Sequence, residues 1–133
     1  MKVLVKNLGN GVKIVTLNDP KTYNSLSFET LRSLLSIFKK LDKDNDTKVI
    51  ILEGAGKGFS AGHNLKEVRS LKVRSKYLKL FNLCSKVMIQ IVEGRKPVIA
   101  KVHGAAYAAG CQLAASCDLA YSTKDAMFAT PGV

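Results

Sequence analysis

The feature that most constrains this chain is the run from Pro97 to Ala120, where three kinds of sequence follow one another with no spacer. Pro97-Val98-Ile99-Ala100-Lys101-Val102 is apolar and β-branched, the composition of a buried strand. Gly104 then permits a sharp turn, and residues 105–109 carry little side-chain bulk apart from Tyr107. Leu113, Ala114 and Cys117 follow at helical spacing. A strand that feeds a small-residue bend and then a helix brings free main-chain N–H groups to a helix N-terminus. Such an end attracts negative charge, including charge that develops during a reaction, and small residues let a ligand approach the main chain itself. A tightly packed strand-helix corner with no ligand satisfies the same residues equally well.

The rest of the chain alternates strand and helix patterns, which argues for an α/β domain. Residues 3–8 and 12–17 flank Gly9-Asn10-Gly11 and read as an antiparallel hairpin. Residues 18–24 are a loop by composition. Ser27 is a candidate N-cap, and Leu31, Leu34, Leu35, Phe38 and Leu41 repeat at helical spacing up to a polar turn that begins at Asp42. Val49-Ile50-Ile51-Leu52 reads as a strand buried on both faces. The glycine-rich loop after it lacks the Gly-Lys-Ser/Thr of a P-loop. Phe59 to Leu65 forms a second small-residue turn, and residues 66–95 read as one helix whose first half is densely basic. That basic face is either solvated or a landing surface for phosphate. Residues 119–122 and 126–129 read as short strands.

The chain has 133 residues, 47% of them hydrophobic and 23% charged, which suits one folded domain with a modest core. No apolar run is long enough to span a bilayer. The N-terminal stretch, broken by Lys2, Lys6 and Lys13, lacks the apolar core of a secretory signal, from which a cytoplasmic protein is expected. Cys84, Cys111 and Cys117 show no CxxC spacing, so free, buried thiols are expected and neither a disulfide framework nor a metal site is. The net charge of +11 implies an anionic partner. With no tryptophan and few aromatics, the platforms that stack nucleic-acid bases are thin, and neither nucleic acid nor membrane is expected as that partner.

Three stretches resemble one family. Asn18-Asp19-Pro20-Lys21-Thr22-Tyr23-Asn24-Ser25-Leu26 is similar to its Pro-Lys-x-x-Asn-x-Leu signature. Gly58-Phe59-Ser60-Ala61-Gly62-His63-Asn64-Leu65-Lys66-Glu67 resembles its Phe-x-Ala-Gly-x-Asp-Leu-Lys-Glu motif, and the bend at residues 104–111 resembles its glycine-cysteine motif. The family is the crotonase superfamily of enoyl-CoA hydratases and isomerases. Within it, Ala-Ala-Gly-Cys-Gln and Phe-Ala-Thr-Pro-Gly point to one subgroup. The resemblance implies a crotonase-like ββα superhelix. It also implies an acyl-CoA or enoyl-CoA substrate of fatty acid metabolism, with coenzyme A as part of the substrate and no covalently held cofactor, and a homo-oligomer, trimer or hexamer.

Carried onto this sequence, the resemblance places an oxyanion hole at the backbone N–H groups of His63 and Ala109. Losing one such donor typically costs about 3 kcal/mol of transition-state stabilisation. Ala61 would meet the adenine amino group through its carbonyl. Lys21, Thr22 and Tyr23 would line the pantetheine and phosphate path, and Asn64, Leu65 and Lys66 would continue the coenzyme A pocket. The His63 imidazole either packs in its turn or faces that pocket. His103, Asp118, Cys111 and Cys117 are expected to serve local structure or the core.

Three departures from the family pattern matter. Gln112 stands at the position of one hydratase glutamate, and Gly132 follows Pro131 where the second is expected. An amide and a missing side chain do no acid–base work near neutral pH. Asn64 stands where aspartate is usual. Full members of the family are about twice as long, so residues 1–133 correspond to the N-terminal part of a single crotonase-like domain, a truncated form of the fold. Two readings follow: an enzyme that holds a thioester enolate with impaired hydration, or a non-catalytic binding and assembly protein or gene fragment.

Overall fold

The computed structural model describes residues 1–131. A five-stranded sheet in the order β1-β2-β3-β4-β6 forms its base. β1 (Val3–Gly9) and β2 (Val12–Leu17) make the expected hairpin, whose Gly9, Asn10 and Gly11 all take left-handed backbone angles. From β2 onward the neighbours are parallel: β3 (Val49–Gly54), β4 (Val98–Val102) and β6 (Leu119–Ser122). Parallel neighbours need crossovers, and each of the three contains a helix.

The first crossover helix, α1 (Phe28–Lys43), starts at Ser27, whose hydroxyl accepts the Thr30 N–H at 3.2 Å. It buries Leu31, Leu34, Phe38 and Leu41 on one stripe. It runs past the expected stop at Asp42, because Asp42 is held from outside by the Arg95 N–H at 2.6 Å and Asp44 closes the turn on the Thr47 hydroxyl at 2.6 Å. The long helix expected over residues 66–95 is two: α2 (Leu65–Ser70) and α3 (Arg74–Glu93). Lys72 takes φ +56° and Val73 is extended, which breaks the helix without a glycine or proline to signal it. Val68 and Leu71 pack against the core from α2's side, and that packing overrides helical propensity.

α1 and α3 lie together against one face of the sheet, where Val15, Leu17, Ile50, Leu52, Val98, Ala100 and Val102 are buried with Leu80, Val87 and Ile91 of α3. On the opposite face Ile14, Ile51, Ile99 and Leu119 fall in one register row across four strands. The both-sides burial expected for β3 is therefore half met, since its residues alternate between buried and partly buried.

The small-residue bend contains a strand that its composition hides. β5 (Ala105–Tyr107) pairs in parallel with β7 (Met127–Ala129), and Ala106 bridges to Ser60. Alanine has low strand propensity, so only the partners reveal it. α4 (Ala109–Ser116) follows at once. Cys84 is buried as expected, but Cys111 and Cys117 are only partly so. Among the described residues no helix is long and apolar enough to cross a membrane.

Candidate functional site

The three sequence stretches come together through main-chain hydrogen bonds. Asn24, buried and at φ +54°, is the knot. Its amide nitrogen is shared among the carbonyls of Ala55, Gly58 and Phe59 at 2.8, 3.0 and 3.1 Å, and its oxygen accepts the Asp19 N–H at 2.9 Å. The Ser60 hydroxyl donates to the Asn24 carbonyl at 2.8 Å and accepts the Gly62 N–H at 3.2 Å. The first stretch then holds the second through Ala61 N–H to Tyr23 O (3.0 Å) and Leu26 N–H to Gly62 O (2.8 Å). The second holds the third through Phe59 N–H to Ala105 O (3.0 Å) and Tyr107 N–H to Ser60 O (2.9 Å).

This lacing brings the corner at Gly62 against the start of α4. Gly62 has φ +90°, and a Cβ placed there would lie 3.0 Å from the Tyr107 carbonyl oxygen and 3.1 Å from the Ala109 nitrogen. Ala108 carries φ +52° and ψ −121°, a conformation rare for a residue with a side chain. Its own N–H is taken by the Ala129 carbonyl at 2.8 Å and its carbonyl by the Gln112 N–H at 3.0 Å. Gly110 packs so closely on Ser60 that a side chain there would overlap the Ser60 carbonyl. Among the described residues, the N–H groups of His63 and Ala109 donate to no acceptor.

A cavity of about 720 Å³ opens at this corner. Lys21, Thr22, Ala61, His63, Asn64, Leu65 and Lys66 line it, all of them residues the sequence singled out. Ala109 is buried immediately behind Gly62 and Ala108. Ala109 is thus not itself a lining residue, and two more singled-out residues lie elsewhere. Tyr23 is 57% exposed and serves the site through its carbonyl, because its own backbone is left-handed and turns the ring outward. Gln112 is exposed in the first turns of α4 and does not line the cavity. Gly132, the other departure from the glutamate pattern, lies outside the described residues. Sequence reasoning missed Ser25, Ala108 and Pro131 in the lining, and Asn24 and Ser60 as braces. Asn24 stood inside a quoted motif, but nothing in the sequence announced that one amide would serve three carbonyls.

Electrostatically the cavity is basic. Lys21 and Lys66 are its charged side chains, and among the described residues no carboxylate lines it. Glu67 turns away to accept the Phe28 N–H at 3.1 Å, satisfying the open first turn of α1. Asn64 caps α2, accepting the N–H groups of Lys66 (3.0 Å) and Glu67 (3.2 Å), a task in which asparagine equals aspartate. His63 is partly buried, with Nδ1 3.3 Å from the Leu26 carbonyl and its ring edge-to-face with Phe81 at 5.2 Å between centroids. Burial pushes its pKa below the ordinary imidazole value, against the pull of the Leu26 carbonyl and Glu67. His103 stays local, bonded to the Gly56 carbonyl at 2.7 Å, and Asp118 is structural, accepting the Val98 N–H at 2.8 Å. Burial also raises the thiols of Cys84 to about 11 and Cys117 to about 12, the latter helped by Asp118.

The family profile described as enoyl-CoA hydratase/isomerase matches residues 7–133. The human enoyl-CoA hydratase domain-containing protein 3, mitochondrial, is 46% identical over 93% of this chain and 41% of its own length. That is the subgroup to which the Gly-Cys-Gln and Thr-Pro-Gly stretches point. A short-chain-enoyl-CoA hydratase of Clostridium acetobutylicum is 35% identical over 92% of this chain and 47% of its own. The crystal structure of an enoyl-CoA hydratase from Mycobacterium smegmatis superposes with a TM-score of 0.94 at 45% identity, over 96% of this chain and 50% of that one. The human protein's structure gives 0.94 at 43%, over 99% and 52%. The expected α/β crotonase fold is borne out, and the chain spans about half the length of the relatives it matches.

The cytoplasmic expectation is corrected by the same comparison: relatives from human, rat and mouse are named mitochondrial. The expectation rested on the lack of an apolar secretory core. Mitochondrial targeting segments are amphipathic and arginine-rich and have no such core, so its absence does not argue against that compartment.

Proposed function

The chain belongs to the enoyl-CoA hydratase/isomerase family, and on that premise we propose that it binds the thioester of an acyl-CoA or enoyl-CoA at the Gly62–Ala109 corner and stabilises the thioester enolate there. The observation that carries this reading is the close approach of Gly62 to the Ala109 nitrogen, directly beside the cavity-lining residues Ala61, His63 and Ala108, with the His63 and Ala109 N–H groups both left without an acceptor among the described residues. Two donors already fixed by the surrounding main chain need no reorganisation when charge appears on the carbonyl oxygen. The strain at Ala108 is the kind that persists where the surroundings over-determine a site. Lys21 and Lys66 suit the phosphates of coenzyme A, and Ala61 supplies a carbonyl for the adenine amino group. Tyr23 contributes main chain to this path and not its ring.

Paired-carboxylate hydration has no support among the described residues that line the cavity, and Gln112 is exposed and not one of them. That favours a second reading, a non-catalytic binding or assembly protein in which the chain is the N-terminal part of one crotonase-like domain. The row Ile14, Ile51, Ile99 and Leu119 would offer such a protein an apolar surface for homo-oligomer contacts.

Isothermal titration with butyryl-CoA tests the first reading. Binding that weakens about tenfold, roughly 1.4 kcal/mol, in Lys66→Glu supports it, and no binding by a folded sample removes it. Turnover of crotonyl-CoA separates the readings: robust hydration rejects the non-catalytic one.

A further inference from the structure

Of the titratable groups that line the cavity, His63 has a ring nitrogen, Nε2, that neither its contacts within the fold nor the main-chain oxyanion reading uses. Resting on the reading of the corner as a thioester site, we propose that the imidazole of His63 is the proton-transferring base of that site, acting at the acyl carbon next to the thioester carbonyl.

Three observations converge on it. His63 lines the cavity and follows Gly62 directly, and its main-chain N–H has no acceptor among the described residues. A carbonyl can only accept, so the contact of Nδ1 with the Leu26 oxygen at 3.3 Å puts the proton on Nδ1 and leaves Nε2 with a free lone pair. The edge-to-face packing on Phe81 at 5.2 Å and 75° fixes the ring plane from the α3 side. The ring is therefore held in one tautomer and one orientation, as a general base requires. The charged groups around it are Lys21 from the loop before α1 and Lys66 from α2, both in the cavity wall, and Glu67 of α2 behind it. α3 presents Phe81, an uncharged ring. No carboxylate among the described lining residues competes for the task.

The step balances without a co-reactant. Nε2 takes the α-proton, the C–H pair becomes the enolate C=C bond, and the carbonyl π pair moves to the oxygen held by the His63 and Ala109 N–H groups. The imidazolium then returns its proton to the α-carbon. With a β,γ-unsaturated chain it delivers that proton to the γ-carbon, and the double bond moves into conjugation. The substrate class is an acyl-CoA with a hydrogen next to the thioester, and the reaction class is proton exchange or double-bond migration.

The test is deuterium wash-in to the α-carbon of butyryl-CoA in D2O, followed by mass spectrometry, with titration of the same ligand alongside. The expected result is exchange by the wild-type chain that falls about a hundredfold or more in His63→Gln, while binding changes by less than tenfold, since the main-chain N–H remains. His63→Phe keeps the packing on Phe81 and is expected to behave alike, which guards against a folding defect in the first variant. The wild-type exchange rate should rise with pH through a limb below the ordinary imidazole value and then level off, and both variants should lack that limb. Binding without wild-type exchange overturns this proposal and leaves the thioester site standing, as does exchange that both variants retain. No binding at all by the folded wild type removes the thioester site and the base with it.

Discussion

Gly62 sits where two constraints meet, a left-handed backbone and a neighbour 3.1 Å from where its Cβ would be. Gly62→Ala should cost about 1–3 kcal/mol of stability from backbone conformation alone, read as a lower urea midpoint, and should abolish measurable acyl-CoA binding because the methyl group crowds the Ala109 N–H. Asn24→Ala leaves four main-chain groups without this partner, two of the bonds buried and two part-buried, and should cost at least about 2 kcal/mol in the same measurement. His63 gives a pH signature. Its folded-state pKa is depressed by burial, so the unfolded chain binds the proton more readily. Its contribution is complete above the ordinary value near 6.5 and shrinks as pH falls through the window beneath it. The urea midpoint of the wild type should drop between pH 6.5 and 5, and that of His63→Phe should drop less. Much of this scale was legible: Ala61, His63, Asn64, Leu65 and Lys66 were singled out from one motif and line one cavity. The Asn24 knot was not, because a side-chain amide that reaches carbonyls 31 to 35 residues away leaves no local pattern.

At the level of elements, the hairpin, α1, β3, β4, α4 and β6 follow from periodicity and turn chemistry. The two misreadings have physical causes. The single helix expected over residues 66–95 is split because core packing of Val68 and Leu71 outweighs propensity, and β5 is masked by its alanines. The split leaves α3 poorly started: Val73 is its N-cap, offers no hydrogen bond, and is 48% exposed, with Arg74 at the unfavourable end of the helix dipole. Val73→Asp should therefore raise stability by about 1 kcal/mol, read as a higher melting temperature with acyl-CoA binding unchanged. A decrease would mean that Val73 is held by packing that its exposure conceals.

Over the whole molecule, charge and shape divide the work. The basic run that the sequence left open between a solvated face and a phosphate surface divides into two groups: Lys66 in the cavity wall, and Arg69, Lys72, Arg74, Lys76 and Lys79 exposed outside its lining. Lys76→Glu should leave butyryl-CoA affinity within about twofold at 0.15 M salt, where charges beyond roughly 8 Å are screened, whereas Lys66→Glu should not. The fold was legible as α/β because strand and helix patterns alternate, and the family because three motifs recur in order. The compartment was not, because the sequence was tested against the wrong class of signal. All the chemistry assigned to this architecture depends on one arrangement, two main-chain donors aimed at one carbonyl oxygen. Difference infrared spectroscopy of butyryl-CoA carrying a 13C-labelled thioester carbonyl reads that arrangement directly. The account predicts a carbonyl stretch shifted to lower frequency on binding to the wild type and no shifted band with Gly62→Ala, which does not bind the ligand. A bound ligand whose stretch stays at the free position would contradict it.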